Sequence, residues 1–176
     1  MRSPGTSNAE QGFTLIEILI VLVLVSSLVS VAVFSMAGSL GQRKLDQFAH
    51  DLHLQMETAR EYAVFENEEI GLRIQDGRFE FLKLSREAES WEPATDRRLR
   101  DQSAPESIKV LHERRAGLPL LTDEDSGHRP DVIFLSSGEV TGFTLTLSDE
   151  SGTSAYEITS SGGMPIRLQQ TQGRGG

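Results

Sequence analysis

A single carboxylate, Glu17, stands at the edge of a long apolar stretch, where its charge could form an ion pair shielded from water. The apolar residues run from Ile18 to Ala37, which is about 30 Å as a helix and close to the thickness of a bilayer core. Placing a carboxylate in that environment costs roughly 2 to 3 kcal/mol or more. Such a residue is therefore expected to have a function and a partner of opposite charge.

The partner could be an α-amine released by cleavage just before the apolar stretch. Glu17 is the last residue of the hexad G-F-T-L-I-E at positions 12–17. Gly12 has no side chain to keep a peptidase away from the bond that follows it, and cleavage there would make Phe13 the new N-terminus. The Phe13 amine of one subunit could then pair with Glu17 of its neighbour in lipid.

The hexad closely resembles the processing signature of type IV prepilins and of the pseudopilins of type II secretion systems. The resemblance implies that a prepilin peptidase cuts after Gly12 and methylates the new N-terminus at Phe13, and that Glu17 directs assembly. It also implies a single-pass protein of the inner membrane with a globular domain in the periplasm. Its partners would be the peptidase, membrane lipid, the major pseudopilin and the other minor pseudopilins.

Two segments in the second half of the chain indicate which members of this family the chain resembles. Residues 134–145, FLSSGEVTGFTL, look like the strand, glycine turn and strand found late in the H-type minor pseudopilins, although Ser137 stands where a proline or an aspartate is expected. Residues 162–167, GGMPIR, resemble the closing element of that family. The resemblance implies an α+β, pilin-like fold and a place at or near the tip of the secretion pseudopilus.

Hydrophobic spacing predicts a similar organisation from the residues alone. From Leu45 to Ala63 apolar residues recur every three or four positions, which predicts an amphipathic helix that ends at about Glu66 and buries one face. After Asn67 the pattern alternates, which predicts an antiparallel sandwich or curled sheet packed on the long helix. The predicted segments are a leader at 1–12, a transmembrane helix at 13–37, an amphipathic helix at 38–66, a β domain at 67–168 and a disordered tail at 169–176.

A hairpin is the most specific β-structure prediction. Asp76 and Gly77 form the dipeptide that suits a two-residue type I′ turn. In that register apolar residues oppose apolar residues and a cation opposes an anion: Ile74 with Phe79, Leu72 with Phe81, and Arg73 with Glu80.

The rest of the β domain is predicted from alternation and turn residues. The polar stretch 86–106 is predicted to be a long connection in which Trp91 fills an edge of the domain. Further strands are predicted from apolar alternation in the segments 108–112, 132–135, 143–147, 155–159 and 165–168.

Composition argues against several classes of function. The net charge is -9, and the segment from Gln42 onward has 16 basic against 24 acidic residues, whereas nucleic-acid binding needs a basic face. The chain has no cysteine, so disulfides and Cys-based metal sites are excluded. It also has no G-x-S-x-G elbow and no glycine-rich phosphate loop. We therefore predict a protein that is not an enzyme, binds no nucleic acid and needs no cofactor.

Two groups of side chains could hold a metal ion. His50 and His53 lie three residues apart on the predicted helix, and Asp123 and Asp125 belong to a loop that clusters oxygen atoms as a calcium site would. The histidines have no third His or Cys nearby, and the loop lacks the full spacing of a calcium loop. A solvated helix face and a solvated acidic turn are the favoured interpretations, with calcium at Asp123 and Asp125 as the alternative.

Three alternative functions stay open. Small residues at Ser35 and Ala37 have the spacing of a signal-peptidase site, and cleavage there would release a periplasmic protein that begins at Gly38. The same family shape serves the minor pilins of type IV pili, which act in motility or DNA uptake. A signal-anchored periplasmic enzyme or binding domain is the third alternative.

Overall fold

The computed structural model describes residues 15–87, 90–114, 129–163 and 165–172, without the side chains of residues 31–40, 114 and 172. The chain divides into two compact units, Met1–Leu40 and Gly41–Gly176. One helix, α1 (Leu15–Glu66), contributes to both units. The prediction that the helix ends at about Glu66 is confirmed, whereas its predicted start at Phe13 lies outside the described residues.

Two antiparallel sheets follow α1 in the described part of the chain. The strands are β1 (Ile70–Gln75), β2 (Arg78–Ser85), β3 (Ser90–Pro93), β4 (Gln102–Ser103), β5 (Ile108–Arg114), β6 (Val132–Phe134), β7 (Phe143–Asp149), β8 (Ser154–Ser160) and β9 (Arg167–Gln172). The first sheet has the order β3-β2-β1-β6, with β4 also paired to β2. The second sheet has the order β5-β7-β8-β9. The predicted α+β class is confirmed, with two sheets rather than one curled sheet.

The hairpin of β1 and β2 has the predicted register. Ile74 pairs with Phe79 and Leu72 pairs with Phe81. The turn residues Asp76 and Gly77 both have positive φ, at 50° and 75°, which a type I′ turn requires. Across the other face of the hairpin, the Nε atom of Arg73 donates a hydrogen bond of 2.9 Å to Oε2 of Glu80.

The predicted long connection at 86–106 is wrong in part, because it contains the strands β3 and β4. Trp91 pairs with Leu84 of β2 and is only 3% exposed. Burial of the Trp91 indole places the backbone of residues 90–93 beside the edge of β2, where it finds hydrogen-bond partners. The prediction that Trp91 fills an edge of the domain agrees with this position, since β3 is the last strand of its sheet.

The end of the chain also differs from the prediction. The last strand begins at Arg167 rather than at Pro165, and it continues to Gln172, which is four residues into the tail predicted to be disordered. Residues 169–172 pair with β8 through their backbones, and backbone pairing does not require apolar side chains. Residues 173–176 lie outside the described part of the chain.

The core of the second unit lies between α1 and the strands. The apolar residues that the helical period selected are all buried, and the ring centroids of Phe48 on α1 and Phe79 on β2 lie 5.8 Å apart. The buried helix residues are Leu45, Phe48, Ala49, Leu52, Met56, Ala59 and Ala63. The predicted amphipathic face is therefore confirmed.

Candidate functional site

The N-terminal part of α1 exposes apolar side chains on every side of the helix. The large apolar residues between Leu15 and Val29 are 48–79% exposed. A helix that is apolar all round is typical of a segment that lies in a protein core or a membrane. Within the residues that the structure describes, no helical stretch is both long enough and apolar enough to cross a membrane. The predicted span at 13–37 lies partly outside those residues.

Glu17 is the acidic residue in the first described turn of α1. Its side chain is exposed, and its neighbours Ile16 and Ile18 are exposed as well, at 66% and 48%. The Glu17 carboxylate therefore lies within an exposed apolar surface of the helix. Gly12 and Phe13, which sequence reasoning joined to Glu17, lie outside the described residues.

Two serines in the same apolar segment form hydrogen bonds within the helix. The Ser26 hydroxyl donates to the Leu22 carbonyl at 2.7 Å, and the Ser30 hydroxyl donates to the Ser26 carbonyl at 2.8 Å. A hydroxyl bonded in this way can enter an apolar environment without losing a partner. These two hydroxyls are compatible with burial of the segment, and Glu17 is the one charged residue between Gly12 and Gly41.

The histidine pair does not form a chelating site. Nδ1 of His50 donates to the Asp46 carbonyl at 2.9 Å, whereas Nε2 of His53 lies 3.2 Å from the Ile166 carbonyl. Among the described residues, no three His, Cys, Asp or Glu side chains gather as metal ligands. The alternative calcium site at Asp123 and Asp125 lies outside the described part of the chain.

A polar cluster that sequence reasoning missed fastens α1 to β8. The Tyr156 hydroxyl donates a hydrogen bond to Oδ1 of Asp46, and the His50 ring meets the Tyr156 ring edge-on with centroids 5.7 Å apart. The hydrogen bond to Asp46, reinforced by burial, raises the pKa of Tyr156 to about 12. The two bonded residues are 110 positions apart in sequence, so no local pattern could predict the contact.

One open cleft bears on the enzyme alternative. It has a volume of about 430 Å³ and is lined by charged side chains that include Glu68, Lys83 and Arg86. The Lys83 amine lies 2.7 Å from Glu68, and the hydrogen bond to Glu68 raises the pKa of Lys83. A nucleophilic amine needs the opposite shift. The hydrogen bond to Glu68 therefore favours the charged form of Lys83.

Two family models match the chain. The model described as Type II transport protein GspH matches residues 49–163. The model described as Prokaryotic N-terminal methylation motif matches residues 7–33, a range that includes Gly12, Phe13 and Glu17.

Three relatives that share one name match most of the chain. Type II secretion system protein H of Pseudomonas aeruginosa is 31% identical over 80% of this chain and 84% of its own length. The protein of the same name from Aeromonas hydrophila is 27% identical over 80% of this chain and 82% of its own length. The Escherichia coli protein of that name is 24% identical over 95% of this chain and 97% of its own length.

The fold also resembles a solved structure. The minor pseudopilin EpsH from the type 2 secretion system of Vibrio cholerae matches with a TM-score of 0.57 and 22% sequence identity. The match covers 73% of this chain and 97% of the EpsH chain. The similarity supports the pilin-like arrangement of a helix and two antiparallel sheets.

Proposed function

The chain belongs to the GspH family of type II transport proteins, and on this premise we propose that it is a minor pseudopilin at or near the tip of a type II secretion pseudopilus. In that role it is a structural subunit that supports the export of folded proteins across the outer membrane. The family model over 49–163 supports this role for the globular unit. The methylation motif over 7–33 supports it for the N-terminal segment.

The N-terminal residues give the proposal its processing steps. The leader, residues 1–12, stays in the cytoplasm, while residues 13–37 anchor the chain in the inner membrane and the β domain lies in the periplasm. A prepilin peptidase cleaves after Gly12 and methylates the new amine of Phe13. A methylated secondary amine is still a cation at neutral pH, so the step preserves the charge that Glu17 needs.

The exposed carboxylate of Glu17 within an apolar helix surface is the observation that carries the proposed assembly mechanism. A charge in an apolar environment is costly, and Coulomb attraction between opposite charges is much stronger there than in water. Pairing Glu17 with the Phe13 amine of a neighbour lowers that cost for both groups. Packing of the apolar helix surfaces supplies the remaining contacts with the major pseudopilin and the other minor pseudopilins.

The alternatives are less well supported by the comparisons. The family model and the three relatives carry type II names, which favours a secretion pseudopilus over a type IV pilus. The family is named for transport rather than for a catalysed reaction, which favours a structural role over an enzymatic one.

The mature N-terminus tests the proposal. Mass spectrometry of the protein isolated from cells with the peptidase should find a chain that begins at Phe13 with one added methyl group. Gly12→Val should accumulate the uncleaved precursor, because a β-branched side chain obstructs the peptidase. Gly5→Val, a matched change within the leader, should leave processing intact. A mature chain that begins at Gly38, or an uncleaved wild-type chain, would refute the proposed processing.

A further inference from the structure

The second sheet ends in β9, a strand whose outer side pairs with no other strand in the described part of the chain. In the order β5-β7-β8-β9, it pairs with β8 on its inner side. Half of the backbone N–H and C=O groups of such a strand point away from the sheet. The six residues of β9 therefore present a row of hydrogen-bonding groups as long as a typical strand. We call this row the β9 edge.

The β9 edge has few of the features that prevent further strand pairing. Natural edge strands are commonly protected by charged residues, prolines or bulges. β5, at the other edge of the same sheet, contains Lys109, Glu113 and Arg114. In β9 the one charged residue is Arg167, and the five residues that follow, LQQTQ, are uncharged and include no proline. The register with β8 runs without a bulge through all six residues, so the β9 edge is regular.

The side chains of β9 indicate what a pairing segment must carry. Leu168 pairs with the buried Ile158 and packs against the core, so an apolar side chain beside it would extend that core. Arg167 and Gln169 lie on the other side of the strand and are exposed. Among the described residues Arg167 forms no ion pair, so a carboxylate on the pairing segment would complement it.

The lack of protection also indicates which kind of protein supplies the segment. An unprotected edge is an aggregation hazard whenever it is uncovered. A partner that stays bound removes this hazard, whereas an exported protein that leaves would expose the edge again. A second copy of this chain would place two β9 strands together and would bring no carboxylate to Arg167. A permanent partner with a different sequence fits the edge best.

We propose that the β9 edge accepts an extended segment of a different, permanent protein of the secretion machinery, which joins the second sheet as a further strand. Main-chain hydrogen bonds supply the affinity, as they do where a peptide adds to a sheet edge in other proteins. An apolar residue of the segment lies beside Leu168, and a carboxylate lies beside Arg167. The source of the partner rests on the proposed function, whereas the mode of pairing rests on the sheet itself.

Hydrogen exchange of the full-length protein tests the main-chain pairing directly. Mass spectrometry should find that the outward amides of residues 167–172 exchange rapidly in the protein purified alone in detergent. In secretion complexes isolated from cells, these amides should exchange at least about tenfold more slowly, because hydrogen bonds to the added strand protect them. The amides of residues 108–113 in β5 are the internal control and should exchange at the same rate in both preparations. Equal exchange of residues 167–172 in the two preparations would overturn the proposal.

Site-specific cross-linking identifies the segment. The chain contains no cysteine, so Gln169→Cys introduces a unique thiol for a photoreactive maleimide at the β9 edge. In cells that assemble the secretion system, it should yield an adduct with another protein of the machinery, and the linked peptide should contain Asp or Glu. Leu111→Cys is the matched control, because Leu111 is 59% exposed on β5. Its yield of that adduct should be about tenfold lower or less.

A charge placed on the β9 edge should prevent the pairing. Gln170→Lys, added to Gln169→Cys, introduces a residue that natural edge strands use for protection and should lower the adduct yield several-fold. Thr146→Lys adds the same charge to β7, an interior strand of the sheet, and should leave the yield unchanged.

Several cross-linking results would contradict the proposal. These are equal yields from Gln169→Cys and Leu111→Cys, no adduct, or an adduct with an exported protein, with lipid, with a second copy of this chain or with a helical segment. The mature N-terminus of the same variants reports separately on the proposed function, so that failure of one proposal is distinguishable from failure of the other.

Discussion

Gly71 occupies the middle of β1, where a glycine normally weakens a strand. A Cβ atom at this position would lie 2.7 Å from Cβ of Pro130 and 2.9 Å from Cζ3 of Trp91. Real carbon atoms do not approach so closely, and both neighbours are buried. The absence of a side chain at Gly71 therefore allows the indole and the proline ring to close over the sheet.

Gly71→Ala should destabilise the protein by about 1–3 kcal/mol, because the added methyl group forces buried neighbours to move. For a chain of this size, the midpoint of thermal unfolding in detergent should fall by several degrees. Gly163→Ala is the matched control, since a Cβ there meets nothing within 4 Å. Equal melting temperatures for Gly71→Ala and the wild type would show that the packing around Gly71 can yield.

At the scale of elements, the junction between α1 and β8 depends on a phenol that stays protonated. The carboxylate of Asp46 accepts the Tyr156 hydrogen bond and raises the pKa of Tyr156 from its ordinary value of 10.0 to about 12. A pKa raised on folding means that the folded state holds the proton more tightly than the unfolded state does. This contribution to stability is complete below pH 10 and is lost as the pH rises from 10 through 12.

Tyr156→Phe should therefore lower the melting temperature at pH 8, where a lost hydrogen bond costs about 1 kcal/mol. The difference in melting temperature between wild type and variant should shrink from pH 10 to pH 12, because the wild type loses the same interaction by ionisation. Thermal unfolding of both proteins between pH 8 and pH 12 measures this difference in melting temperature. A difference that is constant with pH, or that grows, would contradict the assignment.

Local patterns predicted the elements whose partners are near in sequence. The period from Leu45 to Ala63 gave the buried helix face, and Asp76 with Gly77 gave the turn and the register of the first hairpin. The strand β3 and the last residues of β9 were missed, since their pairing depends on edges that only the folded sheets provide. A polar segment such as 169–172 has no local signal for a strand.

Some residues of the candidate site were predictable from the sequence and others were not. Glu17 stands out because one charge in an apolar stretch is visible in the sequence. The contact between Asp46 and Tyr156 had no local signal, because it joins positions 110 residues apart.

At the scale of the whole molecule, the two units have opposite surface character. The segment of α1 in Met1–Leu40 exposes apolar side chains from Leu15 to Val29, whereas the unit Gly41–Gly176 buries most of its large apolar residues in a core of its own. The exposed apolar surface from Leu15 to Val29 favours an apolar environment, which under the proposed function a membrane and then a filament of similar helices would both provide. Glu17 is the residue through which we expect the chain to distinguish a neighbouring subunit from lipid.

Incorporation of Glu17→Ala into the pseudopilus tests this account most directly. The variant should be cleaved after Gly12 and accumulate in the membrane as the wild type does, while Glu17→Asp, which keeps the charge, should assemble in part. Removing one partner of a buried ion pair costs about 3–5 kcal/mol, and about 1.4 kcal/mol corresponds to a factor of ten. The fraction of mature Glu17→Ala that co-isolates with pseudopili should therefore fall at least about tenfold. Wild-type incorporation of Glu17→Ala would contradict the account.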